Sequence, residues 1–265
     1  MIDSVFTLAQ EIERCVLNAW PGQEVHALDG WRLRAAGGIT GRANSVWPNE
    51  HSNALSIADK MAAVEQFYSE RGLAPRYQIT PAAQPAELDE MLAQRGYQLV
   101  SPTYVQVAPL KDVFQSTPPL RLFPTFKVEV TEQFDEDWFS LYALAEGLDE
   151  FAATMRRVIL SKIEPVRGFV QVTIDDQPAA VGLGVVENGW LGIYCMSSRP
   201  AFRRRGAATA ILRTLAIWAQ MNDAQNAYLQ VTQPNTAAQA LYQGVGFSTL
   251  YPYHYRIRPT APQPE

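Results

Sequence analysis

The run Arg203-Arg204-Arg205-Gly206-Ala207-Ala208 constrains this chain more than any other stretch. It lies between an apolar segment, Trp190 to Met196, and a helical pattern, Thr209 to Gln220, so it reads as the turn by which a strand enters a helix. Such a turn leaves the first N–H groups of the helix unpaired and pointing one way, with the positive end of the helix dipole behind them. Gly206 lets the backbone approach closely, and Ala207 and Ala208 keep side chains out of the way. Three consecutive arginines with Arg199 nearby predict a site for several negative charges, such as a pyrophosphate with a further phosphate attached. For this stretch alone, the alternative is a solvated basic surface.

A second stretch narrows the choice. After the apolar strand Tyr228 to Val231 the chain reads Asn235-Thr236-Ala237-Ala238-Gln239-Ala240-Leu241-Tyr242-Gln243-Gly244-Val245-Gly246-Phe247. In this order, each after a strand, the two stretches resemble the signatures of the GNAT superfamily of acetyl-CoA-dependent N-acetyltransferases. Arg203, Gly206 and Ala208 match Gln/Arg-x-x-Gly-x-Gly/Ala, and Asn235 to Phe247 is a complete Asn-x-x-Ala-x-x-Leu-Tyr-x-x-x-Gly-Phe. The resemblance covers residues 125 to 258 and implies acetyl-CoA as cosubstrate, with no metal. By motif position it implies coenzyme contacts from Met196, Ser198, Arg203, Arg204, Arg205, Gly206, Ala207, Ala208, Asn235 and Tyr242. In relatives the central strand splays from its neighbour, and backbone groups there pair with the pantetheine amides; these belong to Met196 and Ser198 here. A backbone N–H near Met196 is also the expected donor to the oxyanion of the tetrahedral intermediate.

Composition bounds the rest. A length of 265 residues suits one large domain or two ordinary ones, and 47% apolar with 18% charged residues describes a globular chain. The net charge of −5 argues against a nucleic-acid binder. Cys15 and Cys195 lie in different halves, and with three scattered histidines they make neither a disulfide framework nor a zinc site. A reducing cytoplasm, no membrane association and a monomer or homodimer are expected; no apolar run is long enough to span a bilayer.

The order of elements in the second half repeats an order in the first. Shifting by 150 positions places Gly96-Tyr97 on Gly246-Phe247, Pro102 on Pro252, Val107 on Ile257 and Pro109 on Pro259. The expected fold class is therefore α/β (α+β): tandem GNAT-like domains, each a mixed, mostly antiparallel sheet flanked by helices. The expected bounds are 1–110 for a degenerate first domain, 111–124 for a proline-rich linker and 125–265 for the catalytic domain. Where the first half should carry an anion loop it has Asn49-Glu50-His51-Ser52-Asn53, and Leu92 stands where Tyr242 would be, so this domain is expected not to hold the coenzyme. The Gly41-Arg42-Ala43-Asn44-Ser45 segment with Trp31 either reaches toward a substrate or packs beside a turn.

Asn235, Ala238 and Tyr242 share one helix face at i, i+3 and i+7. Asn235 fits an N-cap, and Tyr242 can lean toward the thioester sulfur and protonate the departing thiolate; otherwise it is a core tyrosine at a helix end. Relatives with a glutamate base on the central strand carry it where this chain has Gly192. Tyr194, Glu146, Glu150 and His254 are the substitutes. The acceptor is a small-molecule or peptide amine. Glu129, Glu132, Asp135, Glu136, Asp137, Glu146, Asp149 and Glu150 give a local negative field that favours a cationic one, unless they form only a solvated face.

Overall fold

The computed structural model describes residues 2–50, 52 and 54–259. Along the chain run helix α1 (Ile2–Ala19), strands β1 (Glu24–Leu28), β2 (Trp31–Ala35) and β3 (Val46–Trp47), helix α2 (Ile57–Ser69), strand β4 (Arg76–Ile79), helix α3 (Leu88–Gln94) and strand β5 (Gln98–Pro109). Helix α4 (Leu110–Ser116) and a 3-10 turn (Leu120–Leu122) follow, then β6 (Phe126–Thr131), α5 (Glu136–Glu146), α6 (Glu150–Ser161), β7 (Val166–Ile174), β8 (Gln177–Glu187) and β9 (Trp190–Ser198). The chain continues through a 3-10 turn (Pro200–Phe202), α7 (Ala207–Met221), β10 (Asn226–Thr232), α8 (Thr236–Gly244) and β11 (Ser248–Ile257).

Two compact units result: residues up to Tyr104 with those from Tyr251 onward, and Val105–Leu250. In the first the strand order is β1-β2-β3-β4-β11-β5, and in the second β5-β10-β9-β8-β7-β6. The pairs β1–β2, β2–β3, β4–β11, β6–β7, β7–β8 and β8–β9 are antiparallel, and β3–β4 and β9–β10 are parallel. Each unit is thus a mixed, mostly antiparallel sheet with helices on it.

The division differs from the expected bounds at both ends. The expected linker is structured: Leu110 N–H donates to the Gln225 carbonyl at 2.9 Å, and Arg213 Nη1 donates to the carbonyls of Phe114 and Thr117 at 2.9 and 2.7 Å. Pro109, just before this segment, caps α4 and Pro119 caps the 3-10 turn, where a missing N–H costs nothing. At the other end, the C-terminal strand from Tyr251 belongs to the first unit. His254, Tyr255, Arg256 and Ile257 pair antiparallel with Ile79, Gln78, Tyr77 and Arg76.

The internal repeat is visible in hydrogen bonds. After α3, Arg95 and Tyr97 donate to the Leu92 carbonyl and Gly96 to Ala93; after α8, Val245 and Phe247 donate to Tyr242 and Gly246 to Gln243. Gly96 and Gly246 both have positive φ, at 81° and 98°, which ends each helix with a left-handed glycine. Asp29-Gly30 and Asn188-Gly189 make matching hairpin turns with positive φ at both central residues, each leading into a tryptophan that starts the next strand.

In the first unit Trp31 and Leu33 of β2 pack against Met61 and Val64 of α2 and Leu92 of α3. In the second, Ile211, Leu215 and Ala216 bury the apolar face of α7 on the sheet. Gly182 and Gly184 of β8 let that helix settle: a Cβ on Gly182 would lie 2.5 Å from Ile211 Cγ2, and one on Gly184 2.6 Å from Leu215 Cδ2. No helix among the described residues is long and apolar enough to cross a membrane.

Candidate active site

The site is built where two parallel strands part. Pairing of β9 with β10 runs from Trp190↔Asn226 to Ile193↔Leu229 and stops there, although β9 continues to Ser198 and β10 to Thr232. The cause is a bulge in β9: Leu183 faces Tyr194 but Val181 faces Ser197, so Cys195 and Met196 together oppose Gly182. A bulge bends the strand that carries it and raises its twist. Beyond it, Arg199 N–H donates to the Ala179 carbonyl at 2.9 Å. By alternation the N–H and C=O of Ser198 and Met196 then point away from β8, into the gap opened beside β10.

The arginine turn follows directly. Arg204 and Gly206 have φ of 59° and 95°, and Gly206 is the N-cap of α7. Left-handed residues in a turn that opens a helix gather successive N–H groups into a concave anion site. Ala210 N–H already donates to the Gly206 carbonyl, so the free donors of the first turn are those before it. Glycine at 206 is required twice over, since a Cβ there would also lie 2.8 Å from Phe123 Cε1. The three arginines are not equivalent. Arg205 is paired with Asp175 at 2.8 Å and holds that carboxyl below the usual range, and Arg203 Nε donates to the Ser198 carbonyl at 3.4 Å. Arg204 makes no hydrogen bond or ion pair among the described residues and is the uncommitted cation.

On α8, Asn235 is the N-cap, its Oδ1 accepting from Ala238 N–H at 3.1 Å. Tyr242 is 8% exposed, sits edge-on to Phe247 at 5.9 Å, and its hydroxyl has no hydrogen-bond partner among the described residues. Burial pushes that phenol up to about 12, so it keeps its proton across the neutral range.

The missing carboxylate has a structural reason. A Cβ on Gly192 would lie 2.5 Å from the Tyr228 hydroxyl and 2.7 Å from Tyr194 Cε2. The Tyr194 and Tyr228 hydroxyls are 2.8 Å apart and buried, so a phenol pair fills the space that a side chain at 192 would take. Tyr228 lies across from Gly192 in the β9–β10 register, and an aromatic facing a glycine on adjacent strands is the sequence signal that marks it. Glu146 and Glu150, at the end of α5 and the start of α6, are both exposed. His254 lies in the first unit, with Nε2 2.8 Å from Asp89 Oδ1 beside the Arg256–Asp89 pair, and so is not part of the second unit's site.

The corresponding region of the first unit is laced shut. Here β3 and β4 pair only at Val46↔Tyr77; beyond that, Thr80 Oγ1 lies 3.3 Å from Asn49 Oδ1 and Gln84 N–H donates to the Pro48 carbonyl at 2.7 Å. The N-terminus of α2 is occupied by its own cap, Ser56 Oγ accepting from Asp59 N–H at 3.1 Å, with an acidic residue in the first turn. His51 and Asn53 of the expected loop lie outside the described residues. In the 41–45 segment packing prevails: Asn44 Oδ1 accepts from Ala36 and Gly38 N–H at 2.7 and 2.8 Å, and its amide donates to the Thr40 carbonyl at 2.7 Å.

Comparison with known proteins agrees with this geometry. The family model described as "Probable histone acetyltransferase Rv0428c C-terminal" matches residues 9–258. The chain is 30% identical over 249 residues to the "Uncharacterized N-acetyltransferase YobR" of Bacillus subtilis, covering 94% of this chain and 98% of that one. Its fold is similar to a GCN5-related N-acetyltransferase from Kribbella flavida (TM-score 0.71, 15% identity, 96% of each chain). It is also similar in fold to a tandem GNAT protein from the clavulanic acid biosynthesis pathway (TM-score 0.61, 10% identity, 78% of this chain and 70% of that one). With two GNAT-like units, of which the first has lost the splay and the anion turn, the chain belongs to the Rv0428c C-terminal family of GNAT acetyltransferases.

Proposed function

We propose that the second unit transfers acetyl from acetyl-CoA to an amine by direct attack in a ternary complex. The observation that carries this is the parting of β9 from β10 after Ile193 and Leu229, immediately before a turn shaped for phosphates. The outward backbone groups of Met196 and Ser198 would pair with the pantetheine arm, and the amides of the 203–208 turn, with Arg204, would hold the phosphates. Asn235 adds a polar contact at the start of α8. The amine nitrogen bonds to the acetyl carbonyl carbon, the carbonyl oxygen takes the negative charge opposite the Met196 amide, and the C–S bond then breaks. Tyr242 gives its proton to the leaving thiolate, the ammonium proton of the attacking nitrogen passes to solvent, and solvent returns one proton to the Tyr242 phenolate.

The family description names a probable histone acetyltransferase, and the second unit carries a groove of about 510 Å³ lined by Glu129, Asp135, Glu136 and Asp137. The family description supports a cationic small-molecule or peptide amine as acceptor; the groove itself lies on β6, β7 and the start of α5, with β8 between it and β9. The phenol pair that closes the Gly192 position favours a second reading, a non-catalytic sensor of acyl-CoA. Calorimetry with acetyl-CoA, followed by thiol release across an amine panel, separates the two: an enzyme consumes the thioester and a sensor only binds it. Tyr242→Phe is expected to lower turnover roughly ten- to a thousandfold while leaving coenzyme affinity nearly intact. Unchanged turnover on an active acceptor removes Tyr242 from the mechanism.

A further inference from the structure

Beside the arginine turn the second unit sets a pair of aromatic rings that the proposed mechanism does not use. The sequence Phe123-Pro124-Thr125-Phe126 closes a tight turn in which Phe126 N–H donates to the Phe123 carbonyl at 3.0 Å, with proline at the position whose φ it presets. The turn brings its two end rings together: Phe123 and Phe126 stack with centroids 4.8 Å apart and planes 20° from parallel. Both residues are partly exposed. The frame around them is fixed. The Thr125 carbonyl accepts from Asp175 N–H at 3.1 Å, the Asp175 carboxylate pairs with Arg205 at 2.8 Å, and Phe126 opens β6 opposite Ile174 of β7. Phe123 thereby reaches the anion turn itself: a Cβ on Gly206 would lie 2.8 Å from Phe123 Cε1, so the ring edge packs on the glycine that caps α7. Phe202, which precedes the turn, is by contrast buried and already covered, with the guanidinium carbons of Arg199 and Arg205 5.2 and 5.6 Å from its centroid. Among the described residues Phe123 meets no ring but Phe126 and has no cation over it.

We infer that Phe123, backed by Phe126, is a stacking platform for the purine base of the acyl carrier's nucleotide. A pyrophosphate held by the amides of residues 203–208 carries its nucleoside on one side, with a single ribose between phosphate and base, so the base lies within reach of the rim of the turn. Phe123 is a partly exposed aromatic at that rim. Closing the turn over Gly206 needs only an apolar side chain that reaches it; a flat ring with a second ring behind it also offers a face to a planar group. Stacking on such a face needs no hydrogen bond from the base. The pair lies outside both sequence signatures, in and beside the proline-rich segment 111–124. Its role rests on the coenzyme reading proposed above and adds to it the group that receives the nucleotide.

The test uses the full chain and three ligands: acetyl-CoA, ADP, which carries base and pyrophosphate without the arm, and inorganic pyrophosphate, which has no base. Calorimetry of Phe123→Leu is expected to show acetyl-CoA and ADP each weakened about tenfold, while pyrophosphate stays within about twofold of the parent. Phe123→Trp, which keeps a flat ring, should hold ADP to within about threefold of the parent or bind it more tightly. A purely structural role moves pyrophosphate with the other two, because it acts through the shape of the turn. If Phe123→Leu does not fold, magnetic resonance decides: adenine H2 and H8 of bound ADP are expected to show nuclear Overhauser contacts to phenylalanine ring protons in the parent that disappear in Phe123→Trp, and their absence from the parent overturns the platform.

The platform is also overturned if Phe123→Leu leaves ADP affinity unchanged, if it weakens ADP and pyrophosphate alike, or if the parent binds acetyl-CoA but not ADP. If the parent binds ADP but not acetyl-CoA, it is the coenzyme reading that falls, and the ADP series alone decides the platform. If it binds neither, both fall.

Discussion

Ending the chain at Leu250 should unfold the first unit and spare the second. Residues from Tyr251 onward contribute the strand that pairs with β4, and Tyr251, Tyr253 and Tyr255 on it are all buried. Each buried tyrosine removes at least about 150 Å² from water, so three remove roughly 450 Å² on the strand and a similar area on what it covers. At 25 cal/mol per Å² each side is worth about 11 kcal/mol, as an upper estimate. The strand's own share is nearly offset by the backbone entropy of ordering seven residues, at about 1–2 kcal/mol each. What deletion exposes is the matching surface left behind, a loss on the order of 10 kcal/mol, comparable to the whole stability of a domain. Specific partners are orphaned too: Glu13 loses the Tyr251 hydroxyl at 2.9 Å, and Asp89 loses both His254 and Arg256. Hydrogen exchange followed by mass spectrometry is the assay, because it reads the units separately. Amides of α1 and α2 should exchange at the unfolded rate in the shortened chain, while those of α7 and β9, in Val105–Leu250, stay protected and acetyl-CoA binding is retained. If α1 and α2 remain protected to within a factor of a few of the full chain, the assignment of the last strand to the first unit is wrong.

Gly206→Ala should weaken acetyl-CoA binding by at least about tenfold, because φ 95° strains any side chain and the new methyl meets Phe123 at 2.8 Å; titration calorimetry checks it. The first unit should also show a pH-dependent stability set by Glu13, whose carboxyl is pushed up to about 7 by complete burial. With its folded value above the unfolded 4.5, the folded state holds the extra proton. Stability is therefore fully present below about 4.5, falls as pH rises toward 7, and is flat above that. The span corresponds to about 3 kcal/mol. Glu13→Gln can keep both partners, accepting from Gln78 and donating to Tyr251, and should abolish the slope in urea melts between pH 5 and 8; an unchanged slope refutes the assignment.

Local signals place helix α7, the N-cap of α8 and the arginine turn between the central strand and α7, because periodicity and capping act over a few residues. Helix α7 extends to Ala207–Met221 around the expected 209–220, and Asn188-Gly189, a pair that favours tight hairpins, makes one between β8 and β9. Asp29-Gly30 carries the same turn chemistry and was equally readable as the link between β1 and β2. Partner choice among strands was not readable. Nothing in Tyr251 to Ile257 says that it pairs with Arg76–Ile79 rather than with a strand near it in sequence, since the alternating pattern fits either neighbour. Pro102 lies inside β5, beside Ser101 at φ 51°, although proline ordinarily interrupts a strand. At the site, the motif residues were legible and their supports were not. Tyr194 and Tyr228 meet from β9 and β10, and the bulge at Cys195 and Met196 forms against Gly182, only once the sheet is assembled.

The two units show how few residues separate an open strand gap from a closed one in the same fold. Both bring a strand into a helix beside a parallel neighbour, so both have a helix N-terminus aimed at the point where those strands end. In the second unit that end is capped by a left-handed glycine with no side-chain oxygen, which leaves the amides for an anion, and cationic side chains surround it. In the first, Ser56 caps the helix itself and Asp59 places a carboxylate in the first turn, so the same dipole is already spent on the protein's own oxygens. The strand gap follows the same logic. Opening a gap in a sheet strands backbone donors and acceptors, which folded proteins satisfy by some partner. In the first unit the Pro48 carbonyl accepts from Gln84 N–H, and the Thr80 and Asn49 side chains bond to each other beyond the single β3–β4 pair. In the second, the bulge at Cys195 and Met196 precedes the stretch where β9 leaves β10, and the outward groups of Met196 and Ser198 are those proposed above to pair with the pantetheine arm. A gap that follows a strand bulge, ending on a turn with unpaired amides, is what an extended amide-bearing phosphate ester needs, and it is the reason to look for chemistry in the second unit alone.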